Sequence, residues 1–428
     1  MPRVTNLPLR LEADPSRVVI RPFRLAPEPR SNNPVALSRV RRIVEAVAAM
    51  DLRTCQAELA LVNSDFEPRH WQTRHVFLER YDQVMAELDF KAVLREPQKE
   101  LIGAYFCHEY SYAAAALMNP SIVPHFDQSG LQPGSQRFIL SLRAVGEGHI
   151  SSIAFREGIV AADGGLTLMP QPPFAVAVDG VDPDRTASGE VIAHRRDAVS
   201  LSGAVIFPFT PAQRNGLEDL RLVRFAEADG SIVYYGTYTA YSGAAIASEL
   251  LITQDFRTFT LRPMAGAATA SKGMALFPRR IDGGYAMIGR QDNESLYLMR
   301  SNDLVRWDGG DLLMTPVHPW ELVQIGNCGS PIEIDEGWLL LTHGVGAMRQ
   351  YSIGAALLDK HDPRRVLART AKPLLSPIDE NREGYVPNVV YTCGALLNGR
   401  TLFMPYGVAD STVAFCTIDV DELLAEMG

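Results

Sequence analysis

GSPIEIDEGWLLLTHGVGAMRQYSIGAALLD, residues 329–359, reads as a Gly-containing turn, an apolar strand ending on polar His343, a second turn and a further apolar run. The theme recurs in RFILSLRAVGEGHISSIAFREG (137–158), VRFAEADGSIVYYGTYTAYS (223–242), ALFPRRIDGGYAMIGRQDNESLYLMRS (275–301) and NVVYTCGALLNGRTLFMPYGVADSTVAFCTID (388–419). With Arg143, Tyr238, Arg290, His343 and Tyr406 as equivalent points, the copies are spaced by 95, 52, 53 and 63 residues. A period near 50 residues is what one propeller blade of four short strands requires. Five copies predict an all-β, five-bladed β-propeller over 100–428, with an irregular sandwich as the alternative. The long first interval implies an insertion between about 160 and 210.

The stretch before the repeats has a different texture. Residues 1–33 are rich in Pro, Arg and Asn, which predicts an extended arm. Val35, Leu37, Val40, Ile43, Val44 and Val47 recur at helical spacing, and Leu59, Leu61 and Val62 continue the run. Val76, Leu78, Tyr81, Val84, Met85 and Leu88 keep the same period. A helical extension over 34–99 is therefore expected, built as a hairpin. Capping, packing and support of a homo-oligomer are its candidate roles.

Bulk properties narrow the function classes. Of 428 residues, 46% are hydrophobic and 21% charged, and the net charge is -9. Nucleic-acid and anionic-membrane surfaces need clustered excess Lys and Arg, so neither is an expected partner. No signal-like apolar run opens the chain and none is long enough to span a bilayer. Five scattered cysteines without ligand spacing read as reduced thiols, which predicts a cytoplasmic setting and no metal site.

In a propeller, corresponding positions of different blades converge on one channel. Those positions here are Arg143, Glu147, His149, Asp219, Arg221, Tyr238, Tyr241, Lys272, Arg290, Asp292, His343 and Asp410. Carboxylates beside several cations suit a sugar plus an anion; solvated rim loops are the plainer reading.

The segments AAALMNPSIV (114–123), FILSLRAVGEGHISS (138–152), NGLEDLRLVRF (215–225), KGMALFPRRIDGGYAMIGR (272–290), GWLLLTHGV (337–345) and YVPNVVYTCGAL with YGVAD (385–410) resemble glycoside hydrolase family 130 over roughly 100–420. The resemblance implies an enzyme acting on β-linked mannosides, without a resident cofactor. The family's acid is the Asp of a Glu-Asp-Pro-Arg motif, matched by Glu218, Asp219, Leu220 and Arg221, with leucine in place of proline. Asp219 is thereby the implied general acid. Asn119, Arg143, Glu218, Arg221, Tyr238 and Asp410 fall on sugar-binding positions. Lys272, Arg290 and His343 fall on three of four phosphate-binding positions, while Gln324 stands where the fourth, a lysine, is usual.

Phosphate as nucleophile needs cations and no base, whereas an inverting hydrolase needs a carboxylate opposite the acid. The retained cations favour phosphorolysis, with inorganic phosphate as co-substrate and α-mannose 1-phosphate as product. Asp292, Glu294 and Glu321 are the candidate bases of the alternative, a β-mannosidase. A sugar-binding propeller without turnover is the third reading.

Overall fold

Strand Gly337–Val345 is buried at every residue, so the alternation of a half-exposed strand is absent. Its side chains nevertheless divide by parity, as successive strand residues must. Leu339 and Leu341 enter one hydrophobic core, and Trp338 and Leu340 enter another. This sheet therefore has a core on each face.

The same division recurs throughout the computed structural model, which describes residues 3–25, 38–88, 92–180, 189–196, 199–378 and 383–427. Met287 and Ile288 of Tyr285–Gly289 face different cores, as do Leu222 and Val223 of Gly216–Ala226. Met404 and Phe403 of Thr401–Val408 do likewise, and so do Ile139 and Leu140 of Gln136–Val145. Among the described residues, antiparallel strand groups thus share a core with each neighbour. The chain is mostly β, as expected.

The groups follow the chain. Ala116–Pro124, Gln136–Val145 and Ser151–Val160 form the first. Gly216–Ala226, Ile232–Tyr241, Ile246–Thr253 and Thr258–Pro263 form the second. A single parallel pair, Gly216 with Ser151, joins these two into one sheet. The expected insertion lies between them and adds short strands such as Val191–His194, which pairs with Thr258–Pro263. The third group runs from Ala275 to Met314 and the fourth from Gln324 to Arg369. The fifth, Val390–Tyr391 through Thr412–Asp419, takes its outermost strand from far upstream: Val4–Leu11 pairs antiparallel with Thr412–Asp419.

That pairing corrects the extended arm expected over 1–33. Residues 4–11 are a strand of the β unit, Val18–Pro22 is a strand paired with Cys107–Ser111, and 26–33 lie outside the described residues. The chain divides into two units, Met1–Pro15 with Tyr112–Pro172 and Ala177–Gly428, and Ser16–Ser111 with Pro173–Val176. The helical unit is accordingly longer than the 34–99 read from periodicity, and of that pattern Val35 and Leu37 lie outside the described residues.

Among the described residues of this unit are four helices rather than a hairpin: α1 (Arg39–Ala48), α2 (Leu52–Phe66), α3 (Thr73–Leu88) and α4 (Glu96–Tyr105). Asp51 breaks the first apolar run, because its side chain accepts a hydrogen bond from Thr54 N at 2.9 Å and starts α2. Val44, Val47, Leu59, Tyr81, Val84, Leu101 and Ile102 make the core. Helices α3 and α4 approach closely at Gly103, where a Cβ would lie 1.8 Å from Phe77 O.

Gly103→Ala therefore tests this packing. Alanine ordinarily stabilises a helix over glycine by about 1 kcal/mol. Here the clash reverses the sign, and a loss of roughly 1–3 kcal/mol is expected in chemical denaturation followed by helical circular dichroism.

Candidate active site

Two β-bulges build the floor of the site. The register between Ala116–Pro124 and its neighbour shifts between Met118 and Ser121, and that of Gly216–Ala226 shifts between Glu218 and Arg221. Within them Asn119 (φ 49°) and Asp219 (φ 57°) take the left-handed conformation, which costs a non-glycine residue of order 1 kcal/mol. A bulge re-aims a side chain. Here Asn119 Nδ2 donates directly to Asp219 Oδ1, and both residues line a cavity of about 220 Å³.

Five chain segments enter this cavity and continue past it. Asn119, Asp219 with Arg221, Lys272 with Gly273, Gln324 with Gly326 and Asn327, and Val389 with Tyr391 line it. A few residues on, the same five segments line a second opening of about 340 Å³, at Ile122–Pro124, Leu222–Arg224, Pro278–Arg279, Ser330–Glu333 and Gly394–Leu397. Hydrogen bonds join neighbours, as from Leu222 N to Ser121 Oγ (3.0 Å), from Ala226 N to Pro278 O (2.9 Å) and from Cys393 N to Pro120 O (2.8 Å).

Most residues expected at the site meet here. Asn119, Arg143, Asp219, Arg221, Lys272, Arg290, His343 and Asp410 all line the cavity. Glu218 stands behind them and bridges two cations, Arg143 Nη2 at 2.6 Å and Lys272 Nζ at 3.0 Å. Arg143 also reaches Asp219 at 3.3 Å and donates through Nε to Ser151 Oγ at 2.8 Å. Arg221 donates to Asp219 O (2.9 Å) and to Tyr391 Oη (2.5 Å). Lys272 is therefore a paired cation.

Glu147, His149 and Tyr241 do not line the cavity, and neither does Tyr238. Tyr238 is 1% exposed and its hydroxyl donates to Glu249 at 2.5 Å, inside a buried cluster completed by Gln213. The candidate bases are elsewhere too. Asp292 accepts from Glu294 N, Ser295 N and Tyr297 Oη in an exposed turn, and Glu321 is fully buried against Arg369.

Arg349, Tyr351, Asn327 and Tyr391 also line the cavity, although periodicity had not singled them out. One signal for Arg349 was present. GEGHI (146–150) and GAMRQ (346–350) form turns of the same backbone shape, closed by Gly146 N to Ile150 O (3.2 Å) and Gly346 N to Gln350 O (2.9 Å). His149 and Arg349 are therefore equivalent, both with left-handed φ.

The electrostatics are those of a cation-rich pocket. Five cationic side chains, Arg143, Arg221, Lys272, Arg290 and Arg349, face two lining carboxylates among the described residues, Asp219 and Asp410. Burial pushes the Asp219 carboxyl up, but Arg143, Arg221 and Lys272 outweigh it and hold the group below its ordinary value. Burial, with Arg290 and Arg221 beside it, holds His343 well below the usual histidine value, so its imidazole is neutral. His343 is seated tightly, since a Cβ on Gly326 would lie 2.2 Å from its ring. Nε of Arg221 and of Arg290 is buried without a hydrogen-bond partner. Such donors are costly when unmet and suit an incoming anion. With its amide oxygen turned toward Arg290, Gln324 accepts from that guanidinium and donates to Asn293 O at 3.2 Å. No cluster of three or more metal-ligating side chains occurs among the described residues.

With this geometry in view, relatives become informative. Residues 202–427 match the profile of a glycoside hydrolase family, 130, described as beta-1,4-mannooligosaccharide phosphorylase. The chain belongs to that family. It is 33% identical over 229 residues to a beta-1,2-mannobiose phosphorylase of Listeria innocua, a match spanning 52% of this chain and 63% of that protein. It is 31% identical over 224 residues to a 1,2-beta-oligomannan phosphorylase of Thermoanaerobacter, spanning 50% and 72%. The solved Listeria innocua beta-1,2-mannobiose phosphorylase, in complex with beta-1,2-mannobiose, superposes with a TM-score of 0.52 at 22% identity, over 73% of this chain and 92% of that one.

Asp410 supplies a stability test. Burial first, then the nearby Asp219 charge, raise its carboxyl to about 6. The folded chain thus holds this proton after the unfolded chain has released it. The resulting stabilisation is complete below about pH 4 and is lost as pH rises to about 6. Asp410→Asn should remove that dependence. The melting temperature of the variant relative to wild type is expected to rise by roughly 2–4 °C between pH 4.5 and 7 in scanning calorimetry.

Proposed function

We propose that this chain is an inverting phosphorylase that cleaves β-linked mannosides with inorganic phosphate and releases α-mannose 1-phosphate. The observation that carries the reading is the excess of cations around Asp219, with unmet donors on Arg221 and Arg290. Arg290, neutral His343 and Lys272 would hold phosphate on one side of the sugar. A phosphate oxygen attacks the anomeric carbon from that side while the bond to the leaving oxygen breaks. Asp219 gives its proton to that oxygen, and Asn119 and Arg143 orient the acid. Entry of the anion offsets the cations that keep Asp219 ionised, so phosphate binding itself prepares the acid by raising its proton affinity.

Hydrolysis has weaker support. Asp292, Glu294 and Glu321 do not line the cavity, and Asp410 is close enough to Asp219 for the two charges to oppose each other.

The supporting fold is, in this reading, a five-bladed β-propeller. Five strand groups alternating with five cores, and five segments traversing one axis, support that count. A cytoplasmic setting agrees with five free cysteines, four of them buried. No helix among the described residues is long and apolar enough to cross a membrane. The helical unit is the proposed seat of a homo-oligomer, because Leu61, Phe66, Val93 and Tyr105 are exposed there. Light scattering of the chain against a Leu61→Glu, Val93→Glu variant should show a smaller species for the variant; a monomer in both discards the oligomer.

Asp219→Asn keeps the volume and removes the proton, so turnover of a mannobiose should fall roughly 10²–10⁴-fold without loss of folding. Arg290→Ala should cost roughly 30- to 1,000-fold and raise the phosphate concentration needed for half-maximal rate. Initial rates across a phosphate titration decide the reaction class. A rate independent of phosphate, with free mannose as product, discards phosphorolysis.

A further inference from the structure

We propose that Ser271 is a positioning residue for the anion, a role that rests on the phosphorolysis reading above. Its hydroxyl spans the gap between the two chain segments that carry Lys272 and Arg290, and so sets the distance between those cations. Both cations line the cavity, whereas Ser271 does not and acts only through them.

The gap originates in the strands. Ala275–Leu276 and Tyr285–Gly289 pair through two residue pairs, Ala275 with Ile288 and Leu276 with Met287. Lys272 and Arg290 lie just past the end of this ladder, on backbones that the ladder no longer joins. Main-chain hydrogen bonds keep paired strands about 4.8 Å apart, and past the last of them another bond must do so. Ser271 Oγ supplies it by donating to Arg290 O. The same oxygen lies 3.3 Å from Lys272 O, but a hydroxyl has one proton to give and the Arg290 contact is the shorter. A side chain thus replaces a ladder bond, and it joins the neighbour of one cation to the main chain of the other.

The tie is anchored from behind. On one face of the second strand group, Tyr235 and Leu250 share a core with Met274 and Leu276. Further along that face the apolar residues give way to Thr237 and Ser248, both buried. A buried hydroxyl is costly unless it is hydrogen-bonded. Here Thr237 Oγ1 donates to Met274 O, and Ser248 Oγ donates to Ser271 O at 2.8 Å. The segment they hold includes Gly273, left-handed at φ 86° and part of the cavity wall. Lys272 is held at its head as well, where Nζ meets Glu218 at 3.0 Å. Arg290 Nε is buried without a partner, so an anion that reaches it must do so at the distance from Lys272 that the tie allows. Asn119, Arg143 and Asp219 are joined to one another by separate bonds. Loss of the Ser271 hydroxyl should therefore be felt by the anion and not by the sugar.

A hydroxyl that merely satisfies a buried carbonyl is the rival role. Initial rates with phosphate and a mannobiose varied in turn separate the two, and calorimetric titration with inorganic phosphate gives a readout independent of turnover. Ser271→Ala should raise both the phosphate KM and the phosphate Kd about tenfold, the effect of losing one neutral hydrogen bond. The mannobiose KM should stay within about twofold of wild type. Ser248→Ala frees Ser271 O but keeps the Ser271 hydroxyl, and should shift the phosphate constants the same way by about threefold. It decides the matter if Ser271→Ala does not fold. The positioning role is overturned by unchanged phosphate constants in these variants, or by phosphate and mannobiose KM rising together, the result of a general loosening. A wild type whose rate ignores phosphate and which binds none brings down the phosphorolysis reading, and this role with it. A phosphate-dependent wild type beside indifferent variants brings down this role alone.

Discussion

Consecutive residues of a regular strand point to opposite faces of its sheet, so Glu218 and Asp219 should not share a partner. They do, because the bulge between Glu218 and Arg221 twists Asp219 through a left-handed backbone and brings both carboxylates to Arg143. The rest of the site follows from that local irregularity. Glu218 ties down Lys272 and Arg143, so Asp219 lies in the field of cations that are themselves held in place. The matching bulge at Asn119, in the neighbouring strand group, supplies the amide that orients the acid. A residue that must donate a proton is thus positioned by backbone strain and by fixed charge together.

Much of this was legible in the sequence. The repeating hairpin theme falls on antiparallel strands of the mostly β unit, because turn residues and apolar runs are local signals. Of the charged residues near equivalent points of each repeat, Arg143, Asp219, Arg221, Lys272, Arg290 and Asp410 meet at one cavity, whereas Glu147 and Asp292 do not. Parity failed where the register was finer than the repeat. Tyr238 pairs with Glu249 across the strands and turns its hydroxyl into that buried cluster, although its place in the repeat resembles that of Arg290. No spacing rule carries that distinction.

The other misses share a physical origin in distance along the chain. LPLRL (7–11) alternates for only five residues, and its partner strand lies some 400 positions away, so nothing nearby marks it as a strand. Helix α4 was missed because its buried Leu101, Ile102 and Gly103 are consecutive rather than spaced at helical intervals. Tyr391 and Asn327 carry no charge and stand in apolar company, where a sequence pattern reads only core. The cavity gives them a role that composition does not show.

The antiparallel pairing of Val4–Leu11 with Thr412–Asp419 also bears on how the molecule is made. At ribosomal rates of roughly 5–20 residues per second, strand 4–11 waits about 20–80 s for its partner to emerge. Throughout that interval its backbone amides and carbonyls form an unpaired edge, the kind of surface that recruits stray strands. The alternation of apolar residues with Asn6, Pro8 and Arg10 makes that edge a poor template, since proline cannot donate and charge repels stacking. The segment that finishes the sheet is thus also chemically suited to a long wait on the nascent chain.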